Sequence, residues 1–149
     1  MELKTPSRRV AALAAPLILA GGLWAASQWW EKGLAERIGE SLISPGGCYR
    51  VEEFKPFWVM PSLFHPKPDP NEDRPPKWFQ LWSYPGFYRL YDHRSGELIG
   101  ESNIYDLEFV GGGMAWGGGS GKVSAGMITI GPNLPDCMGD RPTGLKSQK

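Results

Sequence analysis

An uncharged apolar run near the N-terminus limits what this chain can fold into. From Val10 to Trp30 it reads VAALAAPLILAGGLWAASQWW, 21 residues without a charged side chain. A helix of that length, rising about 1.5 Å per residue, crosses the roughly 30 Å apolar core of a bilayer. Residues 1–9 carry three basic side chains, so the positive-inside rule keeps them in the cytoplasm and exports the residues after Trp30. The sequence therefore predicts a transmembrane anchor at residues 10–30.

A cleaved signal peptide is the alternative interpretation of the same run. A basic start followed by the apolar stretch Val10–Ala20 is also typical of one. Small residues at Ala20–Gly22 and at Ala25–Ser27 offer cleavage sites, but the apolar run continues beyond the first of them. The anchor is the preferred interpretation, and it makes the chain a single-pass membrane protein. Under both interpretations residues 31–149 are exported from the cytoplasm.

The two cysteines of the chain, Cys48 and Cys137, are the next constraint. An exported domain meets an oxidising environment, so the pair is predicted to form a disulfide rather than to bind metal or react as thiols. Closing a loop of about 90 residues stabilises a fold by roughly 4 to 5 kcal/mol in the chain-entropy model. Two unpaired buried cysteines are the alternative.

Residues 31–47 are expected to form a juxtamembrane helix and linker. Leu34, Ile38 and Leu42 recur at the helical spacing i, i+4, i+8, with charged residues between them. Such a short amphipathic helix can lie on the membrane surface or pack on the domain that comes after it. Ser44–Gly47, with its proline and two glycines, ends the helix.

From Cys48 onward the hydrophobic pattern changes to a period of two. Within Ile104–Phe109, Tyr105, Leu107 and Phe109 share one face, as in a half-buried strand. Comparable short runs occur at Cys48–Phe54, Trp78–Trp82, Phe87–Asp92, Glu97–Ser102 and Met127–Ile130.

These runs predict a mainly β fold for residues 48–137. The run Arg89–Gly100 reads as a hairpin, with Gly96 at a position that requires positive φ. We expect a small antiparallel β-sandwich or open barrel of about five to seven strands, with its first and last strands joined by the disulfide. Residues 138–149 are expected to form a flexible tail.

Two segments interrupt the predicted strands. Pro61–Trp78 contains six prolines and cannot supply the backbone donors of a central strand, so it is expected to be an exposed loop with polyproline character. Gly111–Gly126 contains eight glycines in sixteen residues. This second segment is either a flexible hairpin tip or a place where another surface approaches the backbone closely.

The glycine-rich stretch Met114–Ser124 resembles a phosphate-binding loop only superficially. That loop requires glycine where Trp116 stands and a hydroxyl where Val123 stands, with a helix after it. A serine-hydrolase elbow fails in the same way, because Lys122 replaces its second glycine. The net charge is zero, without a basic run after the N-terminus. We therefore expect no nucleotide and no nucleic acid as partner.

Histidine is too sparse in this chain to indicate catalysis. His65 lies in the proline loop and His93 at the hairpin tip, and both are expected to be solvated. A catalytic triad or a metal site would need these two residues to converge with other ligands. The sequence predicts no catalytic residue, no metal and no cofactor, and the protein is not expected to be an enzyme.

Aromatic residues are the most unusual part of the composition. Eleven of the eighteen lie between Phe54 and Tyr91, more than the inner face of a small core needs. Exposed tryptophan and tyrosine beside loops are typical of interfaces. The residues predicted to bind a partner are Trp58, Trp82, Trp116, Tyr84 and Tyr88. The alternative is a second layer of intramolecular packing under the proline loop.

The stretch Tyr84–Ser102, YPGFYRLYDHRSGELIGES, resembles a hairpin in small membrane-anchored periplasmic proteins of bacteria, some of which look like immunity proteins of antibacterial effectors. The resemblance implies no functional residue. It favours a non-enzymatic binding protein that is anchored in the bacterial inner membrane through residues 10–30 and has its domain in the periplasm. Its expected partner is a protein, and a delivered antibacterial toxin is the candidate. The alternative function is an envelope accessory protein that recognises cell-wall glycan or an assembly partner.

Overall fold

A computed structural model describes residues 8–144. The chain begins with one long helix and continues as a series of short strands, with single helical turns between some of them. In chain order the elements are α1 (Arg8–Gly33), β1 (Glu36–Ile43), β2 (Tyr49–Lys55), β3 (Pro85–Asp92), β4 (Leu98–Glu101), β5 (Tyr105–Asp106), α2 (Leu107–Val110), β6 (Met114–Gly117), β7 (Lys122–Ala125), β8 (Ile128–Pro132), β9 (Cys137–Met138) and β10 (Arg141–Pro142).

The expectation of a mainly β fold built from antiparallel sheets is confirmed. The first sheet has the order β1-β2-β3-β4, with β5 pairing with the start of β3. The second sheet has the order β6-β7-β8, and β9 and β10 form a two-stranded hairpin. The predicted hairpin between β3 and β4 is present, and Gly96 adopts φ +77° in its turn.

One core draws on both larger sheets. Val51 of β2 lies opposite Leu90 of β3, and both are almost completely buried. They belong to the same buried cluster as Val123 and Ile128 of the second sheet. The sheets approach closely at Gly100 of β4, where an added Cβ would lie 2.6 Å from the carbonyl oxygen of Ile130. Only a residue without a side chain fits at that contact.

The predicted disulfide between Cys48 and Cys137 is confirmed. Both residues are fully buried and their Cα atoms are 6.3 Å apart. Beside the bridge, the hydroxyl of buried Tyr49 donates a hydrogen bond to the carbonyl of Cys137 and accepts one from the Leu134 N–H at 2.9 Å. The bridge and these hydrogen bonds tie the start of β2 to the C-terminal hairpin.

The segment that contains the apolar run is helical, as predicted, and it is part of α1. Among the helices of the described residues, none is both long enough and apolar enough to cross a membrane. Of the predicted cytoplasmic segment 1–9, residues 1–7 lie outside the described part of the chain.

The predicted amphipathic helix within residues 31–47 is wrong. Helix α1 continues to Gly33, and Glu36–Ile43 then forms β1, an edge strand paired with β2. The spacing of four that suggests a helix is also an even number, so Ile38 and Leu42 fit a strand equally well. Gly39 adopts φ +68°, which is not a helical value, and it lies where the register of the β1–β2 pairing shifts.

Two predicted strands are also corrected. Trp78–Trp82 is an exposed loop in which Phe79 adopts φ +55°, and this left-handed residue interrupts an extended run. Within Ile104–Phe109 only Tyr105–Asp106 is a strand. The chain then turns into α2, because the Leu107 N–H donates to the carbonyl of Tyr84 and the Gly111 N–H to that of Leu107.

The glycine-rich segment forms strands β6 and β7, which the sequence pattern does not predict. The segment is a hairpin with its tip at Gly118–Ser120, and another part of the chain also approaches its backbone closely. An added Cβ at Gly117 would overlap the side chain of Asn133. These strands are difficult to predict from the sequence because glycine has a low strand propensity and, without a side chain, gives no alternation of polar and apolar residues.

The flexible tail predicted at residues 138–149 is wrong for residues 138–144, and residues 145–149 lie outside the described part of the chain. Asp140 explains the order. Its carboxylate accepts hydrogen bonds from the Ser44 hydroxyl at 2.5 Å, from the N–H of Gly46 and from the N–H of Cys48 at 3.3 Å. The C-terminal hairpin is therefore fixed to the turn that precedes β2.

Candidate binding cleft

The last turn of α1 is fixed to the first sheet by charged side chains. The Lys32 ammonium contacts Glu101 at 2.8 Å and donates to the carbonyl of Ser102 at 2.7 Å. Arg89 of β3 bonds the other oxygen of Glu101 at 2.7 Å and donates to the carbonyl of Lys32 at 2.8 Å. Burial alone would raise the pKa of Glu101, but the hydrogen bonds with Lys32 and Arg89 bring it below its ordinary value. Glu101 is therefore charged at neutral pH and holds both cations.

Glu31 joins the same helix end to the proline loop. Its carboxylate accepts hydrogen bonds from Nδ1 of His65 at 2.8 Å and from the indole N–H of Trp58. Its backbone carbonyl accepts a further one from the Phe57 N–H at 2.9 Å. Two aromatic side chains, Trp58 before the proline loop and His65 within it, are thus oriented by one carboxylate of α1.

His65 is buried, and the expectation that it is a solvated loop histidine is wrong. It is 5% exposed and stacks on Trp58, with ring centroids 4.2 Å apart and an angle of 9° between the planes. The acceptor at Nδ1 fixes the orientation of its ring. Its Nε2 is buried and has no hydrogen-bond partner in the part of the chain that the structure describes. His93, the other histidine, is half-buried, and its Nδ1 likewise lacks a partner there.

Trp82 completes the aromatic cluster. It meets Trp58 edge to face, with centroids 5.0 Å apart, and its indole N–H donates to the carbonyl of His65 at 3.3 Å. Both tryptophans are half-buried and line a cleft of about 370 Å³ between α1 and the proline loop. The polar lining comes from Gln28, Lys32 and Asn103, besides the Glu31–His65 pair. We refer to this space as the Trp cleft.

An ion pair next to the Trp cleft joins the proline loop to β5 and to the residues that precede β3. Lys67 contacts Asp106 at 2.6 Å and donates to the carbonyl of Leu81 at 2.9 Å, while its ammonium lies 5.6 Å from the centre of the Trp82 ring. Asp106 also accepts the N–H groups of Ser83 and Tyr84 at 2.9 Å. Burial opposes its ionisation, but these donors bring the pKa of Asp106 below its ordinary value.

The structure separates the five predicted partner-binding residues into three places. Trp58 and Trp82 lie together in the Trp cleft, whereas Trp116 of β6 is half-buried against the core. Tyr84 and Tyr88 lie near Glu53, on a shallow surface next to α2. Tyr88 is buried in the core, and burial together with the charge of Glu53 raises its pKa to about 12. Tyr84 is exposed, and a hydrogen bond with Glu53 raises its pKa.

Five polar residues of the Trp cleft are not identified as site residues from the sequence, namely Gln28, Glu31, Lys32, His65 and Asn103. Three of them belong to the end of α1, where the sequence suggests only membrane flanks. Glu31 and Trp58 are 27 positions apart, and no local pattern connects them.

The lining of the Trp cleft combines two indole rings with charged and amide side chains. In the described residues no serine, threonine or cysteine lines it. Among the described residues, one group has the spacing of metal ligands: Cys48, Cys137 and Asp140. The two cysteine sulfurs of this group are joined in the disulfide. Preoriented aromatic rings with a polar rim are suited to bind a side chain or a flat polar ligand.

The chain matches no protein-family model, and neither a curated protein nor a solved structure shows significant similarity to it.

Proposed function

We infer that this chain is a non-enzymatic binding protein of the bacterial periplasm. In this proposal residues 10–30 anchor it in the inner membrane, its strands form a small β-sandwich outside, and the Trp cleft binds a protein partner. The observation that carries the proposal is the pairing of Trp58 and Trp82 in one open cleft, held by Glu31 and by the carbonyl of His65.

Fixed aromatic rings favour binding for an energetic reason. Binding is opposed by the ordering of side chains, so rings that are already oriented lose little freedom when a partner arrives. The Trp58 ring stacks on His65, and its indole N–H donates to the carboxylate of Glu31. The ring is therefore already oriented before a partner binds. Tryptophans in partly enclosed sites commonly dominate interface energies, with losses of about 2 kcal/mol or more on truncation.

The exposed surface of α1 supports the anchor. Leu17, Ile18 and Leu19 are 74%, 71% and 67% exposed. An apolar helix surface of this kind is stable in lipid and unfavourable in water.

Immunity against a delivered toxin is the finer proposal, and the resemblance of the hairpin Tyr84–Ser102 supports it. A contact-dependent competition tests it even while the toxin is unidentified. A strain that lacks the gene is expected to lose against its parent on a solid surface, and the wild-type gene should restore it. Equal competition between the two strains would contradict immunity.

Substitutions connect the competition to the Trp cleft. Trp82→Ala should fail to restore the deletion strain, whereas Leu98→Ala should succeed, because Leu98 is an exposed apolar residue that does not line the cleft. Both variants must reach wild-type levels in the envelope. If Trp82→Ala is present at that level and protects fully, the cleft is not the binding site.

Recognition of cell-wall glycan is the second candidate. The observation that favours it is the ring of amide and ammonium groups from Gln28, Lys32 and Asn103 beside two indole rings. In that case the full chain in detergent should sediment with isolated peptidoglycan, and Trp82→Ala should abolish the sedimentation. Sedimentation that is unaffected by Trp82→Ala would exclude the cleft as a glycan site.

A further inference from the structure

The loop between β2 and β3 exposes a group of large apolar side chains. Leu81 is 82% exposed and Phe79 is 65% exposed, although soluble surfaces rarely collect such residues. Phe64 and Phe79 meet edge to face with centroids 6.4 Å apart, which joins the two ends of the loop into one surface. We refer to these residues as the loop patch: Phe57, Leu63, Phe64, Trp78, Phe79 and Leu81.

The loop patch is attached to the end of α1. Phe57 and His65, which border its first half, both bond Glu31. Pro76, just before its second half, lines the Trp cleft together with Gln28. Ser27, inside the apolar run that ends at Trp30, is only 1% exposed, and its hydroxyl donates to the carbonyl of Trp24 at 2.7 Å. The domain therefore begins on the helix itself, without a spacer.

From this attachment, and on the basis of the anchor in the proposed function, we propose that the loop patch inserts into the outer surface of the bilayer that α1 crosses. A helix that spans the bilayer with residues 10–30 places Ser27 and Glu31 at the lipid–water boundary. The loop bonded to Glu31 is then held at the same depth. Trp29 and Trp30 of α1, 86% and 41% exposed, lie at this level too, where aromatic side chains favour the membrane interface.

The balance of charges in the loop indicates whether it would bind the membrane through electrostatic attraction or through its apolar side chains. Between Phe57 and Trp82 the cations Lys67, Arg74 and Lys77 are balanced by the anions Asp69, Glu72 and Asp73. Anionic lipids attract clusters of basic residues, and this loop has no excess of them. Insertion therefore depends on burial of apolar area and is expected to be equal in zwitterionic and anionic bilayers.

The experiment places a fluorescent probe at three positions of the full-length protein in liposomes. Leu81→Cys reports on the loop patch, Ser95→Cys on the exposed β3–β4 turn, and Leu19→Cys on the middle of α1. The two native cysteines are joined in the disulfide, so only the introduced thiol reacts with the probe. Lipids that carry a nitroxide quencher near the headgroup or deep in the acyl chain measure the depth of each probe.

We expect the shallow quencher to act strongly at position 81, the deep quencher at position 19, and neither at position 95. Phe79→Asp in the Leu81→Cys protein should reduce the shallow quenching, and a zwitterionic bilayer should give the same result as an anionic one.

If position 19 is quenched deeply and position 81 no more than position 95, the anchor stands and the inserted loop is wrong. If position 19 is not quenched, the anchor is wrong and the inference with it. Quenching at position 81 that requires anionic lipid would also overturn the proposal.

Discussion

Glu31 is the single side chain on which the Trp cleft depends most. It accepts hydrogen bonds from two buried or half-buried rings, His65 and Trp58. Removal of the carboxylate leaves both donors without their partner, and an unsatisfied buried group costs about 1 to 3 kcal/mol.

Glu31→Ala is therefore expected to lower the free energy of unfolding by about 1 to 3 kcal/mol, measured by urea unfolding of the full chain in detergent. Glu31→Gln, which keeps one acceptor oxygen, should cost less. The matched control is Glu36→Ala, at an exposed position of β1. Equal unfolding of the Glu31→Ala and Glu36→Ala proteins would show that Glu31 does not organise the cleft.

Two buried or half-buried carboxyl groups, those of Asp106 and Glu101, contribute to the pH dependence of stability. The pKa values of Asp106 and Glu101 are held below their ordinary range by Lys67 and by Lys32 with Arg89. A group with a lowered folded-state pKa contributes stability above its unfolded-state pKa of about 4. That contribution is lost as the pH falls through the folded-state pKa.

The urea midpoint is accordingly expected to fall as the pH decreases below about 4. Asp106→Asn should be less stable than wild type at pH 7 and should lose less on acidification, because its ion pair with Lys67 is already absent. Glu108→Gln, at an exposed position of α2, serves as the control. A wild-type midpoint that stays constant down to pH 2 would refute this role for the two carboxyl groups.

At the scale of elements, the contact between the two sheets can be tested at one glycine. Gly100→Ala places a Cβ 2.6 Å from the carbonyl oxygen of Ile130, so the sheets must move apart. Overpacking of this kind typically costs about 1 to 3 kcal/mol. Gly113→Ala is the control, because an added Cβ there meets nothing within 4 Å. If thermal unfolding gives the same stability for both variants, the close approach of the sheets is wrong.

Elements with a local alternation or a clear turn signal can be predicted from the sequence, and the others cannot. In β2 and β8 buried and more exposed side chains alternate over Tyr49–Glu52 and Ile128–Ile130. β3 and β4 show no such alternation, and their hairpin is predicted from the turn that contains Gly96. β1 has the sequence pattern of a helix because a spacing of four suits both structures, and only its pairing with β2 decides between them.

Only part of the candidate site can be predicted from the sequence, because residue type is a local signal and tertiary contacts are not. Trp58 and Trp82 are identified by residue type alone, because large aromatics are common at binding surfaces. Their partners Glu31 and His65 are not, since a tertiary contact between α1 and a loop has no sequence period. Burial of His65 under a proline-rich segment likewise results from the contact with α1 and not from local composition.

At the scale of the whole molecule, the helix and the domain form one unit. Glu31 and Lys32 both bond residues of the domain, so the end of α1 is fixed to the proline loop and to the first sheet. In the proposed membrane position this arrangement holds the Trp cleft next to the bilayer surface. A partner would then reach the cleft along the membrane surface.

Photo-crosslinking in living cells tests most directly whether the Trp cleft is the binding surface. A photoreactive amino acid at position 103, which is exposed and lines the cleft, is expected to give a discrete adduct with an envelope component. The adduct should disappear when Trp82→Ala is added to the same chain, and a probe at position 95 should not form it. The binding role of the cleft would be contradicted if position 103 gave no adduct, or if the same adduct formed from position 95 or persisted in Trp82→Ala.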